Sequence, residues 1–255
     1  SGLIFHPLAE ARRLLRQYRE IAAEAPDELA VWFVLRNAPP LPFLPAEVHG
    51  TGVIAFAACY AGPADAAEKA MKPLRSLGKP IVDVIGPHSF AGWQTALDPL
   101  LTPGARNYWK THDFTELSNG AIGAITQAVA QLPGPECEVF IAHVGGAMSR
   151  VAPTATAYPH RRSHFIMNVH TRWRETAQDS GCIAWARRLF EATTPFATGS
   201  GYVNFMPADE PDRIEKVYGD NYRRLVEIKR HWDPENRFRL SKNIQIGRGS
   251  CRERV

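Results

Sequence analysis

His164-Phe165-Ile166-Met167-Asn168-Val169-His170-Thr171-Arg172-Trp173 is the stretch on which the fold turns. Read with the two-residue period of a strand, Phe165, Met167, Val169 and Trp173 share one face; His164, Asn168, His170 and Arg172 share the other, with Ile166 among them. One face packs on helices and the other reads as wet. A strand that is apolar on one side only belongs to an antiparallel sheet rather than to a parallel sheet buried on both sides.

The flanking sequence supplies further strands and the helices that cover them. Residues 30–36, 53–60, 81–85, 106–110 and 138–144 are short runs that read as strands, the first two joined through a segment holding Pro39, Pro40, Pro42 and Pro45. Leu8, Ala11, Leu14, Leu15, Tyr18, Ile21 and Ala22 recur at spacings of three and four opposite Arg12, Arg13, Arg16 and Arg19, an amphipathic helix opened by Pro7. An Ala-rich helix runs from Pro63 to Leu77 with a kink expected at Pro73. Thr115 is the expected cap of a helix carrying Leu117, Ile122, Ile125 and Val129. Helices follow over 182–192 and 220–232, with a short strand between them at 202–205. The expected fold is α+β, an antiparallel sheet covered by helices on one face.

The 255 residues are 45% hydrophobic and 22% charged, enough to bury a core without staples. The net charge is +4, and residues 247–255 supply +2 of it through three Arg against one Glu. With no basic cluster in the body, the sequence gives no footprint for nucleic acid. No apolar run approaches the ~20 residues of a membrane-spanning helix. Ser1-Gly2-Leu3 offers neither a Met nor a signal-peptide pattern, so the chain reads as a fragment. Residues 247–255 read as a non-native tail.

Several familiar sites are weakly represented. Cys59, Cys137, Cys182 and Cys251 show no CxxC spacing and read as small buried hydrophobes. His160, His164 and His170 lack the convergence of a metal site, so no metal is expected. Gly145-Gly146 lacks the remainder of a nucleotide loop, and Gly199-Ser200-Gly201 does not complete a nucleophile elbow.

The C-terminal third is more specific. Tyr202-Val203-Asn204-Phe205, Tyr218-Gly219-Asp220-Asn221-Tyr222-Arg223-Arg224-Leu225, Ile228-Lys229, Asp233-Pro234-Glu235-Asn236-Arg237-Phe238 and Asn243-Ile244 resemble the C-terminal signature of the berberine bridge enzyme-like flavoproteins, FAD-linked oxidases of the vanillyl-alcohol oxidase type. Arg106 to Lys110, Gly145 to Val151 and Tyr158-Pro159-His160-Arg161 look like the same family's substrate domain, so the resemblance covers residues 3–246. It implies a substrate-binding domain over 1–200 and a segment over 201–246 that packs on an FAD-binding domain. That N-terminal FAD domain, with its flavin-linking His and Cys, has no counterpart in this sequence. FAD is the implied cofactor and a small molecule the implied substrate. The implied reaction is hydride transfer from an alcohol-like or hemiacetal carbon to flavin N5.

The resemblance also nominates residues. Tyr202 is the expected base and Asn204 its orienter beside the flavin, both placed on one side of the expected strand. A phenol with an ordinary pKa near ~10 needs a cation to act as base at neutral pH, and Lys110 is the candidate. Asn168 occupies about the place where relatives carry a Gln, Glu or Asn facing substrate, and Asn243 is a candidate FAD contact. Arg150, His160 and Arg161 match family motifs and are read as structural. The competing reading is a non-catalytic α+β module whose polar sheet face binds a ligand or partner.

Overall fold

The computed structural model describes residues 1–240 and 242–246, so the 247–255 tail lies outside the described residues. Seven antiparallel strands form one sheet in the order β4-β1-β3-β2-β6-β7-β5. In chain order they are β1 Gly2–Pro7, β2 Leu29–Asn37, β3 Gly52–Tyr60, β4 Val82–Asp83, β5 Arg106–Phe114, β6 Glu138–His143 and β7 Phe165–Trp173. The helices are α1 Ala11–Glu24, α2 Ala67–Arg75, α3 Phe90–Thr95, α4 Asn119–Val129, α5 Asp179–Thr193, α6 Ile214–Tyr218 and α7 Tyr222–Trp232. No described helix is long and apolar enough to cross a membrane.

Register explains the two faces. Ile4, Phe56, Phe33, Ile141, Met167 and His112 lie opposite one another in one transverse row. All of these but His112 belong to the main core, with Leu14, Leu15 and Tyr18 of α1, Leu74 of α2, Ile122 and Ile125 of α4, and Trp185 and Leu189 of α5. Tyr18 knits the sheet centre together: its hydroxyl donates to the Val31 carbonyl at 2.7 Å and accepts from the His143 amide at 2.9 Å. The next row, displaced by one residue and therefore on the opposite face, reads Phe5, Ala55, Val34, Phe140, Asn168 and Thr111.

Several local expectations change. β1 was not legible, because six residues ending in Pro7 look like the approach to a helix; in place they pair with β3 and β4. The cap of α4 is Ser118, whose Oγ accepts from the Ala121 amide at 3.2 Å, rather than Thr115. Residues 202–205 are not a strand: Val203–Phe205 is a single 3-10 turn with Tyr202 at its N-cap. The polar face of β7 is not wet, since all nine of its residues are buried.

β5 is the edge of the sheet, and residues 198–213 wrap around it. The Thr198 amide donates to the Asp113 carbonyl at 2.9 Å, and Arg213 donates to the Thr111 carbonyl at 3.2 Å, so outward-facing groups of an edge strand are occupied by the same chain. Gly201 makes this approach possible, because a Cβ there would lie 2.9 Å from Thr111 Cγ2.

Candidate functional site

The wrap delivers the 202–205 turn onto the helix-free face. The Phe205 ring meets Trp109 edge-on at 5.7 Å between centroids and Phe140 at 5.4 Å, and Phe140 stacks on Trp32 at 4.8 Å. Tyr202 packs edge-on against Phe205 at 5.0 Å and against Tyr158 at 6.2 Å. Asn204 Nδ2 donates to Tyr202 Oη at 2.7 Å, so the phenol and the amide are joined, through a turn instead of strand parity. Asn204 is exposed and Tyr202 half-buried.

Asn168 is fully buried on this face, opposite Thr111 on one side and Phe140 on the other, and neither its Oδ1 nor its Nδ2 has a partner. The Thr111 hydroxyl spends its only proton on the Met167 carbonyl at 2.9 Å, so it cannot donate to Asn168 Oδ1. Trp109 Nε1, Asp113 Oδ1 and Tyr158 Oη are likewise buried without partners. Buried polar groups are normally satisfied, so these unmet donors and acceptors near one aromatic turn stand out among the described residues.

Charge is distributed unevenly around these groups. Burial pushes the Asp113 carboxyl up to about 6, against the hydrogen bond from Ser200 and the nearby Arg213 cation. Tyr158 is pushed upward by burial and by Asp113, with Arg161 opposing. Further along the face, Glu138 and His170 face each other across β6 and β7, with Trp109 opposite His170 on β5. His170 Nδ1 lies 3.2 Å from Glu138 Oε1, and Arg36 donates to Glu138 Oε2 at 2.7 Å. Burial raises the Glu138 pKa, but His170, Arg36 and Arg172 outweigh it and hold the carboxyl below the usual range.

Lys110 is corrected by the register. It sits opposite Val169, a core residue, and therefore on the helix-covered face. Its ammonium pairs with the Glu210 carboxylate and lies 4.9 Å from the centre of the Phe190 ring, so the cation expected beside Tyr202 serves the C-terminal wrap instead. Asn243 Oδ1 is buried without a partner, and the neighbouring Lys242 feels Glu210 and Asp209. Arg150 pairs with Asp27, His160 Nε2 lies 2.7 Å from the Val217 carbonyl, and Arg161 donates to Met148 O at 3.2 Å; the last two hold the 146–161 loop in place under the C-terminal helices. Among the described residues no three His, Cys, Asp or Glu side chains converge as metal ligands would. The α7 residues Ile228 and Trp232 are exposed, as is Phe238 beyond the helix.

Sequence reasoning could not find Trp109, Phe140, Glu138 or Asp113 as neighbours of the site. Each requires the pairing register, and the only prior signal was their polar or aromatic character on short strands.

Known proteins share this fold. The family described as "Berberine and berberine like" matches residues 201–245. An uncharacterized FAD-linked oxidoreductase of Bacillus subtilis (strain 168), YgaK, is 28% identical over 207 residues, covering 79% of this chain and 44% of the relative. A second, YvdP, is 32% identical over 137 residues, covering 54% and 30%. FAD-linked oxidoreductase OXR2 of Pyricularia oryzae is 30% identical, covering 73% and 39%. Among solved structures, berberine bridge enzyme from Eschscholzia californica superposes with a TM-score of 0.76 at 18% identity, covering 95% of this chain and 54% of that one. 6-Hydroxy-D-nicotine oxidase from Arthrobacter nicotinovorans gives 0.76 at 20% identity, covering 96% and 54%. Both share its fold, an antiparallel sheet with helices on one face. The chain spans about half the length of these solved structures and less than half of the three curated relatives.

Proposed function

Because the chain belongs to the berberine bridge enzyme-like FAD-linked oxidoreductases, we propose that its helix-free sheet face and the Tyr202 turn form the substrate side of a flavin-dependent oxidation site. The observation that carries this reading is the group of buried, unpartnered polar atoms at Asn168, Trp109, Tyr158 and Asp113, roofed by the aromatic turn. They fit a flat, polar ring system and its substrate, which offer the donors and acceptors that the chain leaves unmet. FAD, when bound, supplies flavin N5 as acceptor for the hydride of an alcohol-like or hemiacetal carbon. Asn204, Tyr202 and Asn243 are the residues assigned to contact it.

The chain's own task is positioning and proton movement. Tyr202 Oη takes the proton of the substrate hydroxyl in its phenolate form, for which a cation other than Lys110 has to be supplied by the whole protein, while the Asn204 amide, by donating to that oxygen, restricts the directions left for proton exchange. Asn168 holds the substrate oxygen through its amide, whose two polar atoms are both uncommitted, once the turn that covers it yields to the substrate. Phe205, Phe140 and Trp109 keep water from the reacting face. Lys110 takes no part; it holds Glu210 and thereby the wrap that presents Tyr202.

In the domain arrangement we propose, residues 1–200 bind substrate and 201–246 also reach an FAD-binding domain supplied by the whole protein. The exposed Ile228, Trp232 and Phe238 support this, as apolar side chains that no described residue covers. Tyr202→Phe tests the reading. Flavin reduction by substrate, followed by stopped-flow absorbance in the flavin-loaded protein, should slow by a factor within ~10²–10⁴. An unchanged rate removes Tyr202 as base.

A further inference from the structure

Trp32 is 42% exposed on the helix-free face of β2. The register pairs it with Ala142 of β6 and Ala57 of β3, in the row beside the one that holds Phe140 and Asn168 on the same face. Ala30, two residues earlier on β2, shares that face. A large ring therefore stands among three alanines, whose methyl groups are too short to cover it.

One side of the indole is already used. Phe140 lies parallel to it within 10°, at 4.8 Å between ring centres. Because Phe140 belongs to β6, the other side of the indole is turned toward β3 and its half-buried Ala57. Beyond Ala57 in the same row comes Leu3 of β1. Leu3 is part of the wall of an apolar cavity of about 210 Å³ that Phe43, Trp93 and Leu97 also line. Two strand spacings, about 10 Å, separate Trp32 from Leu3, and a flat ring in contact on both sides needs about 7–8 Å. The interval floored by Ala57 thus admits one flat ring against Trp32.

Trp32 is also joined to the proposed reaction centre. Tyr202 meets Phe205 at 5.0 Å, Phe205 meets Phe140 at 5.4 Å, and Phe140 stacks on Trp32. Asn168 lies two strands and two residues away, about 12 Å along the diagonal of the sheet. We propose that Trp32, Ala57 and Leu3 form an aromatic subsite: the substrate carries a flat aromatic ring that stacks on the free side of Trp32, about 12 Å from the carbon presented to Asn168 and Tyr202. The assignment to a substrate rests on the function proposed above, but the subsite itself is tested by binding alone.

The probes are naphthamide and its saturated analogue decahydronaphthamide, neither of which has a carbinol carbon to oxidise, titrated calorimetrically into the flavin-loaded full protein. Ring stacking should make naphthamide bind about 2–12-fold more tightly. Trp32→Leu should erase that preference, and Trp32→Tyr, which keeps an aromatic face, should retain it. Ala57→Leu fills the floor of the interval and should weaken naphthamide about fivefold or more. Equal affinity of the two probes for the unaltered protein overturns the subsite, and this comparison needs no variant to fold. A preference that survives Trp32→Leu overturns it too. So does naphthamide binding left unchanged by Ala57→Leu, the result expected if the surface of another domain closes over Trp32 instead. If the stacking preference depends on Trp32 while Tyr202→Phe leaves flavin reduction untouched, the subsite survives and the catalytic reading falls.

Discussion

Asn168→Leu separates a residue kept for binding from one kept for folding. The carboxamide is fully buried with two polar atoms unpartnered, and each such atom costs about 1–3 kcal/mol of desolvation in the folded state. Leucine has a similar volume and no polar atoms. The gain is partly offset by the strain of a shape change, typically under ~1.5 kcal/mol. The two atoms together cost about 2–6 kcal/mol, so the balance predicts a ligand-free protein more stable by at least about 0.5 kcal/mol, equivalent to at least about 1–2 °C in melting temperature for a domain of this size. Urea unfolding with an unchanged slope measures this directly. In the flavin-loaded protein the same variant should lose substrate-dependent flavin reduction, the usual exchange when an unsatisfied polar group is retained for function. A variant destabilised by 1 kcal/mol or more, with flavin reduction at the parent rate, would refute the reasoning.

Other outcomes follow from the same geometry. Lys110→Met leaves Glu210 buried with only Arg213 at 2.7 Å, and should cost about 2–3 kcal/mol in urea unfolding while leaving the pH profile of flavin reduction unmoved, because the ammonium is on the far side of the sheet. Asp113, with its pKa raised by burial from 3.8 to about 6, is protonated more readily in the folded state, so it lowers stability progressively as pH rises from about 4 to 6. His112, lowered by burial to about 4 from 6.5, works in the opposite sense: its contribution is present above pH 6.5 and lost as pH falls through 4. Asp113→Asn should therefore raise stability at pH 7 by about 2–3 kcal/mol and make stability climb steeply from pH 4 to 6.5, as urea midpoints across that range will show.

The outline of the fold was legible where one periodicity dominated. Phe165, Met167 and Val169 on β7, and Leu14, Leu15 and Tyr18 on α1, signal their buried faces without help from the rest of the chain. Tyr202-Val203-Asn204-Phe205 has strand composition, yet it lies outside the sheet, where its aromatic rings find a sheet face in place of a neighbouring strand. Lys110 was misplaced because alternation sorts a strand into two faces without saying which one the helices take; that depends on pairing with Val169. Asn168 could be nominated from resemblance, but its surroundings depend on Thr111 spending its proton on the Met167 carbonyl and on Phe205 packing over Phe140 and Trp109. The Glu138 pairs were invisible for the same reason: Arg36, Glu138 and His170 meet only once β2, β6 and β7 are aligned.

The central claim concerns which face of the sheet meets the cofactor, and a crystal structure of the flavin-bound protein tests it most directly. The account predicts the flavin ring on the helix-free face, with Tyr202 Oη and the Asn168 amide within hydrogen-bonding reach of the flavin or of a bound substrate analogue. A flavin bound elsewhere, with Asn168 still sealed and unpartnered beneath the Tyr202 turn, would contradict it.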